Sequence, residues 1–248
     1  MNKMSKYENC YKQIRRVIGD ICEPYASVQL VQHYRDYWKP EKVNIVLLAE
    51  SHVFTSAEDR NAEMKKHDLL PNYPHNYARF VYCLAYGEKS LMAKGLSLNG
   101  GTPQFWKLLY SCVNYVKCNY SFAPILASRT KNDSERIKNK IELLLLLRRK
   151  GIWLIDASIV ALYPKNKEVK VEDVIRISWK ECIEEVLSDL KCKHIVIIGK
   201  GVANVLERKI KTVTRGHCSV MEQPNARLSS KHLLSNHQKL TEICEEYL

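Results

Sequence analysis

The sequence predicts an α/β protein of three layers (α/β/α), in which helices cover both faces of a central four-stranded parallel sheet. Two observations lead to this fold class. Short apolar runs, typical of strands that are buried on both faces, recur along the chain. Helix-length patterns separate these runs, and strands that alternate with helices usually pair in parallel. We expect one domain over 1–248, with a helical part at 1–40 and an irregular insertion at 55–100.

The elements of this fold have recognisable ends in the sequence. Two helices are expected within the first 40 residues, and Pro40 ends the second. Thr102 is the expected N-cap of a later helix, because the next residue, Pro103, suits the first helical position. Gly151 ends the next helix. The predicted strands are 43–48, 152–155, 194–198 and 219–221, and the later predicted helices are 76–86, 102–113, 132–149, 171–190, 203–210 and one at the C-terminus.

The composition narrows the class of partner. The chain has 39 Lys and Arg residues against 27 Asp and Glu residues, and its net charge of +12 favours a polyanionic partner. No apolar run approaches the roughly 20 residues that span a bilayer, and the N-terminus has no hydrophobic signal core. We therefore expect a cytoplasmic protein that does not bind a membrane. Nine cysteines without a CxxC pair indicate reduced thiols rather than disulfides or a metal cluster.

Polar groups follow the predicted strands at the point where each strand ends. They are Glu50 to His52 after the first strand, Asp156 after the second, Gly199 to Gly201 after the third and 223–229 after the fourth. The carboxyl ends of parallel strands meet at one edge of the sheet, where open α/β folds bind ligands, so we expect these groups to lie together. Ordinary solvated loops are the alternative. The glycine pair can hold a phosphate at a helix start, or it can simply form a tight strand-to-helix turn.

The order of these motifs resembles that of the uracil-DNA glycosylase superfamily. That family has a strand ending in GQDPYH or GEAPG, a helix opened by a Pro-Ser-type loop, a strand ending in Asn, a strand running into a WG-type turn, and a strand ending in HPSPLS or a relative. The match covers roughly 43–54 and 101–230, and the ordered set carries it because no single motif is specific. The corresponding stretches are AESHV at 49–53, GTPQFW at 101–106, WLIDAS at 153–158, IVIIGKGVA at 195–203 and EQPNARLSS at 222–230.

The resemblance implies a monofunctional DNA glycosylase, which hydrolyses the N-glycosidic bond of a flipped-out pyrimidine and leaves an abasic site. Glu50 falls on the glutamate of GEAPG, which positions the hydrolytic water or stabilises the sugar cation. A carboxylate suits this role because the transition state has oxocarbenium character. Gln223 takes the place of the family's histidine, and Asn225 completes the expected catalytic set. Alternatively, Glu50 is a helix-capping or surface acid.

Two departures from the family pattern bear on the base. Asp156 replaces the family's base-reading Asn, and Val53 falls on the GQDPYH tyrosine, which excludes groups on C5. An ionised Asp only accepts hydrogen bonds, and a protonated Asp pairs with N4–H₂ and N3 of cytosine. Both changes favour a modified cytosine, bulky at C5 as in phage DNA, over uracil. Asp156 can instead cap a turn. The expected base-binding residues are Asp156, His52, Val53 and Phe54.

DNA contacts are expected around the same edge. Arg227 and Leu228 fall where the family inserts a wedge into the base stack, and the other expected DNA-binding residues are Thr102, Gln104, Lys200 and Ser229. We expect a monomer that binds double- or single-stranded DNA without a cofactor or metal, in repair or phage defence. The cysteine spacings do not indicate the iron–sulfur cluster that is usual in the GEAPG-type branch.

The sequence leaves two other functions open. Because Gln223 and Asp156 both depart from the usual pattern, the chain can be a catalytically inactive nucleic-acid-binding protein of the same fold. It can also be a more distant α/β protein that acts on free nucleotides, and such a protein would not bind duplex DNA.

Overall fold

The fold is three-layered, with a four-stranded parallel sheet between helices, as the sequence predicted. The computed structural model describes residues 3–65, 70–93, 101–114, 121–163, 169–224 and 229–248. The strands are β1 (Ile45–Ala49), β2 (Ile152–Asp156), β3 (His194–Ile198) and β4 (Cys218–Met221), arranged in the order β2-β1-β3-β4. Every residue of β1, β2 and β3 is buried, which explains their uninterrupted apolar runs.

Helices form two groups around this sheet. Helix α4 packs on α5 and α9, whereas α6 packs on α1 and α8. The crossovers from β1 to β2 and from β2 to β3 run in opposite directions across the sheet, so right-handed connections put their helices on opposite faces. The helices are α1 (Lys3–Ile18), α2 (Tyr25–Tyr37), α3 (Ala57–Asn61), α4 (Pro103–Asn114), α5 (Asp133–Lys150), α6 (Val171–Ser178), α7 (Glu184–Leu190), α8 (Lys200–Val213) and α9 (Ser230–Tyr247), with a π-helical turn at Trp179–Ile183.

The ends of α5 show why β2 begins where it does. The Asn132 side chain accepts a hydrogen bond from the backbone N–H of Glu135 at 3.2 Å and so caps the helix start. Gly151 ends the helix in the left-handed region, with φ of 78°. A β-carbon at this position would lie 2.5 Å from the carbonyl oxygen of Lys42, so the close approach of the two segments requires glycine.

The predicted helix at 76–86 is wrong, because this segment forms turns that wrap around aromatic side chains. The hydroxyl of Tyr73 donates to the carbonyl of Tyr82 at 2.7 Å and accepts from the N–H of Leu84 at 2.8 Å. The indole of Trp38 donates to the same carbonyl at 3.3 Å. Side chains therefore take some of the backbone hydrogen bonds that a helix would have made, and the backbone bonds that remain are those of turns.

Among the helices that the structure describes, none combines the length and apolarity needed to cross a membrane.

Candidate functional site

A cavity of about 380 Å³ opens at the carboxyl ends of the strands, at the edge that the sequence indicated. This volume lies within the range of small-molecule binding sites. The cavity is lined by the segment after β1, residues from 79 to 86, the start of α4, the end of β2 with Tyr163 beyond it, and the segment after β4. Of the residues predicted from the sequence, eight line it: Glu50, His52, Val53, Phe54, Thr102, Gln104, Asp156 and Gln223.

Glu50 is a buried carboxyl in the wall of this cavity. Its Oε2 accepts a hydrogen bond from the hydroxyl of Tyr163 at 3.1 Å. Its Oε1 faces the start of α8, where a β-carbon on Gly201 would lie 3.4 Å away. Burial raises the pKa of Glu50, the Tyr163 hydroxyl opposes this shift, and the nearby charge of Asp156 adds to it. A carboxyl with a raised pKa in a cleft is a candidate catalytic group.

Asp156 lies at the end of β2 and is held by a buried ion pair with Arg35 of α2. Its Oδ2 accepts from Arg35, and Nδ1 of His52 lies 3.4 Å from the same oxygen. Neither contact uses Oδ1. Burial by itself would raise the pKa of Asp156, but Arg35 and His52 hold it below its usual range. Asp156 is therefore an ionised acceptor at neutral pH, and the protonated alternative is disfavoured.

The imidazole of His52 lies between two carboxylates. Its Nε2 is 2.7 Å from Oε1 of Glu23, its Nδ1 faces Asp156, and the side chain is completely buried. Although burial lowers the pKa of His52, Glu23 and Asp156 together raise it to about 9. Although Arg35 opposes this shift, a pKa of about 9 favours the protonated ring at neutral pH. Both nitrogens are engaged within the protein, since Nδ1 also lies 3.3 Å from Nη2 of Arg35. His52 supports Asp156 instead of offering a nitrogen to a ligand, in contrast to the base-binding role expected from the sequence.

Glu23 fastens the loops behind the cavity. Besides its contact with His52, its Oε1 accepts from the N–H of Ala161 at 2.7 Å, and its Oε2 accepts from the N–H of Thr55 at 3.4 Å. The segment between α1 and α2 thus joins the loop after β1 to the segment after β2. Together with Arg35, His52 and Asp156, Glu23 forms a buried set of two positive and two negative side chains.

His52 should make the stability of the protein depend on pH. The pKa of His52 is about 9 in the fold against 6.5 for an unperturbed histidine, so its stabilisation is complete below pH 6.5 and is lost as the pH rises through 9. We expect His52→Gln to lower the free energy of unfolding by about 3 kcal/mol at pH 6, and the difference from the wild type should shrink towards pH 10. Urea denaturation across this range measures it. Parallel pH profiles for both proteins would contradict the charged state of His52.

The start of α4 forms another part of the cavity wall. Gly101 has φ of 70°, and a β-carbon there would lie 2.8 Å from the carbonyl of Tyr86, so glycine permits this approach. Oγ1 of Thr102 and Oε1 of Gln104 are buried, and neither has a hydrogen-bond partner among the described residues. Helix α4 begins at Pro103 as predicted, but the Thr102 hydroxyl does not cap it. Unpaired buried polar atoms are uncommon in folded proteins, and both of these atoms belong to residues that line the cavity.

The other predicted contact residues divide into three groups. Asn225, Arg227 and Leu228 lie outside the described residues. Lys200 begins α8, and its exposed ammonium pairs with Glu222 at 2.7 Å. Ser229 is exposed and caps α9, because its hydroxyl accepts from the N–H of His232 at 3.3 Å. Neither Lys200 nor Ser229 lines the cavity.

The predicted site residues did not include Arg35, Glu23 or Tyr163, nor the cavity-lining residues of the 79–86 segment, which are Arg79, Phe80, Val81 and Tyr86. The first two belong to the N-terminal helical part, and Tyr163 lies beyond the polar residues that end β2. The sequence offered only a weak indication that Arg35 is buried, namely its position beside the apolar residues Val31 and Tyr34 of α2. Among the described residues, no group of His, Cys, Asp and Glu could hold a metal ion.

Comparison of the chain with models of protein families, with curated proteins and with solved structures gave no match. The residues of the cavity are therefore the basis for a function.

Proposed function

We propose that the protein is a monofunctional DNA glycosylase that hydrolyses the N-glycosidic bond of a pyrimidine flipped into the cavity, leaving an abasic site. The observation that carries this proposal is the buried carboxyl of Glu50, which is held by Tyr163 in the wall of a base-sized cavity that Asp156 also lines. The resemblance of the motif order to that of the uracil-DNA glycosylase superfamily supports the same reaction.

Glu50 matches the electrostatic demand of this reaction. Breaking the bond between sugar and base builds positive charge on the sugar and negative charge on the leaving base. A fixed carboxylate stabilises the sugar cation and can also orient or deprotonate the attacking water. Gln223 lines the same cavity, and its amide can donate a hydrogen bond to an oxygen of the leaving base.

Asp156 supports a cytosine-like base rather than uracil. Its carboxylate is held ionised by Arg35 and His52, so it can accept a hydrogen bond from an exocyclic amino group but would repel the O4 carbonyl of uracil. Val53 also lines the cavity, and it is smaller than the tyrosine that restricts C5 in the resembling family. Both features are compatible with a cytosine that carries a substituent at C5.

Abasic-site formation tests the proposal. Oligonucleotides that differ in a single target base (uracil, cytosine or a C5-substituted cytosine) would be incubated with the protein and then treated with alkali, in both single-stranded and duplex form. We expect alkali-dependent cleavage at the target position, with the C5-substituted cytosine preferred. Binding of the oligonucleotides without an abasic site would favour the alternative, a catalytically inactive nucleic-acid-binding protein. The exposed Gln223 in place of a histidine is the observation that favours this alternative.

DNA binding should weaken steeply with salt. The net charge of +12 and the exposed Lys200 support contacts with phosphates, and such contacts release counterions. We expect a log–log slope of affinity against salt concentration of several units, and Lys200→Gln should reduce this slope by about 1. Fluorescence anisotropy with a labelled oligonucleotide measures both quantities. An affinity that does not change with salt would remove DNA as the ligand.

A further inference from the structure

Tyr163 is the residue through which the mouth of the cavity contacts the proposed catalytic carboxyl. Its side chain is 55% exposed, yet its hydroxyl donates to the buried Oε2 of Glu50 at 3.1 Å. Residues 158–162, which precede it, are all buried. The ring of Tyr163 can therefore contact a ligand at the mouth of the cavity, while its hydroxyl contacts Glu50 in the cavity wall.

The position of Tyr163 is fixed by the backbone that precedes it. The N–H of Ser158 donates to the carbonyl of Glu50 at 3.0 Å, and the N–H of Leu162 donates to Oγ of Ser51 at 3.3 Å. The segment after β2 is thus fastened at two points to the segment after β1. Tyr163 and Glu50 are held on neighbouring segments, and their hydrogen bond does not depend on a free loop.

When Glu50 is ionised, the hydrogen bond in this contact runs from the Tyr163 hydroxyl to the carboxylate. Burial and the charge of Glu50 raise the pKa of the Tyr163 hydroxyl to about 12, so the hydroxyl keeps its proton at physiological pH. It therefore donates to Glu50 and stabilises the carboxylate form. Each carboxylate oxygen can accept more than one hydrogen bond, so Glu50 keeps acceptor capacity for a water molecule beside the bond from Tyr163.

Among the residues that the structure describes, two elements bring other charges near Glu50. Asp156 at the end of β2 disfavours the carboxylate form of Glu50 by its own negative charge. Lys200, beside Gly201 at the start of α8, is already paired with Glu222. Of these described neighbours, Tyr163 is the one that opposes the raised pKa of Glu50 and favours its carboxylate form.

The ring of Tyr163 belongs to an apolar rim. Three large apolar or aromatic side chains are notably exposed among the described residues: Tyr163, Val53 at 39% and Val17 in α1. The first two line this cavity, whereas Val17 does not. Exposed aromatic rings next to a nucleic-acid site provide stacking platforms for bases.

We propose that Tyr163 is a positioning residue for Glu50 through its hydroxyl, and that its ring stacks on a nucleotide beside the flipped base. This inference rests on the proposed function, because a glycosylase is the context in which both contacts are used.

Two substitutions separate the two contacts: Tyr163→Phe removes only the hydroxyl, and Tyr163→Leu removes the ring as well. The pKa of Glu50 would be measured directly by NMR titration of protein carrying ¹³C-labelled glutamate, with the Glu50 signal assigned by its absence in Glu50→Gln. Tyr163→Phe should shift this titration to higher pH, and the acid limb of the single-turnover pH–rate profile should shift with it. Tyr37→Phe is the matched control, because the Tyr37 hydroxyl donates to the carbonyl of Pro71 at 3.3 Å and Tyr37 does not line the cavity.

The ring is tested by affinity. Tyr163→Phe should bind the oligonucleotide as tightly as the wild type, whereas Tyr163→Leu should bind about tenfold more weakly or worse. An unchanged Glu50 titration in Tyr163→Phe would overturn the positioning role, and equal affinities of the two variants would overturn the stacking role. If the titration shifts but the wild type releases no base from any substrate, the proposed function fails while the hydroxyl contact stands. The two failures are therefore distinguishable.

Discussion

Replacing Glu50 with glutamine is expected to slow base release by about 100-fold or more, while the fold and the affinity for DNA stay the same. Glutamine has the same shape as glutamate, and its amide oxygen can still accept the hydrogen bond from Tyr163, so the cavity wall should remain intact. The substitution removes the negative charge that stabilises the sugar cation and the group that accepts a proton from water.

Single-turnover rates with saturating protein would measure the effect of Glu50→Gln without interference from product release. Glu245→Gln provides the matched control, because Glu245 is exposed on α9, away from the cavity. Equal rates for the wild type and Glu50→Gln would assign Glu50 a purely structural role.

Replacing Asp156 with asparagine is expected to lower the free energy of unfolding by about 3–5 kcal/mol, a large fraction of the stability of a typical domain. The substitution leaves the guanidinium of Arg35 and the protonated ring of His52 buried beside a neutral amide. A buried charge that loses its partner keeps its desolvation cost and loses the attraction that offset it. Arg35→Gln should be similarly destabilising, because it leaves Asp156 buried without its main partner.

A double-mutant cycle tests whether the pair acts as a unit. The double variant Arg35→Gln/Asp156→Asn should lose less stability than the sum of the two single losses, because it leaves neither charge of the ion pair behind. Urea denaturation at neutral pH gives all four free energies. Additive losses would show that Arg35 and Asp156 are not coupled.

The variant Asp156→Asn also tests which base the protein excises. An asparagine at position 156 offers both a donor and an acceptor, so the ratio of excision rates should move from cytosine derivatives towards uracil by about tenfold or more, since mispaired buried polar groups cost about 1–3 kcal/mol each. This ratio should be measured under conditions in which denaturation shows the variant to be folded. The claim that Asp156 selects the base would be contradicted if the wild type already prefers uracil and Asp156→Asn does not change the ratio of rates.

The sheet was predictable because strands buried on both faces leave uninterrupted apolar runs. The observed β1 at Ile45–Ala49 is shifted only slightly from the predicted 43–48. Parallel pairing then predicted that Glu50, Asp156 and Gln223 would meet at one edge, and all three line the same cavity. These inferences needed only local sequence patterns and the parallel topology that such patterns predict.

The buried charges behind the cavity could not be predicted in this way. Arg35 is 121 positions away from Asp156. The helical spacing in α2 indicates which of its apolar residues are buried, but it does not indicate which residue pairs with its arginine. The orientation of His52 towards Glu23 is a tertiary contact of the same kind. The error at 76–86 is of a different kind. A helix was predicted there, but the packing of tyrosine side chains holds the segment in turns.

The central claim is that the protein breaks the bond between a pyrimidine base and its deoxyribose, and mass spectrometry of the reaction products tests it most directly. An oligonucleotide with a single C5-substituted cytosine would be incubated with the wild type, with the slower Glu50→Gln as the comparison, and both the strand and the free bases would be analysed. We expect a strand whose mass corresponds to one abasic site, together with an equal amount of the free base. An unchanged strand, a strand cut without release of a base, or a base altered in place would contradict the claim.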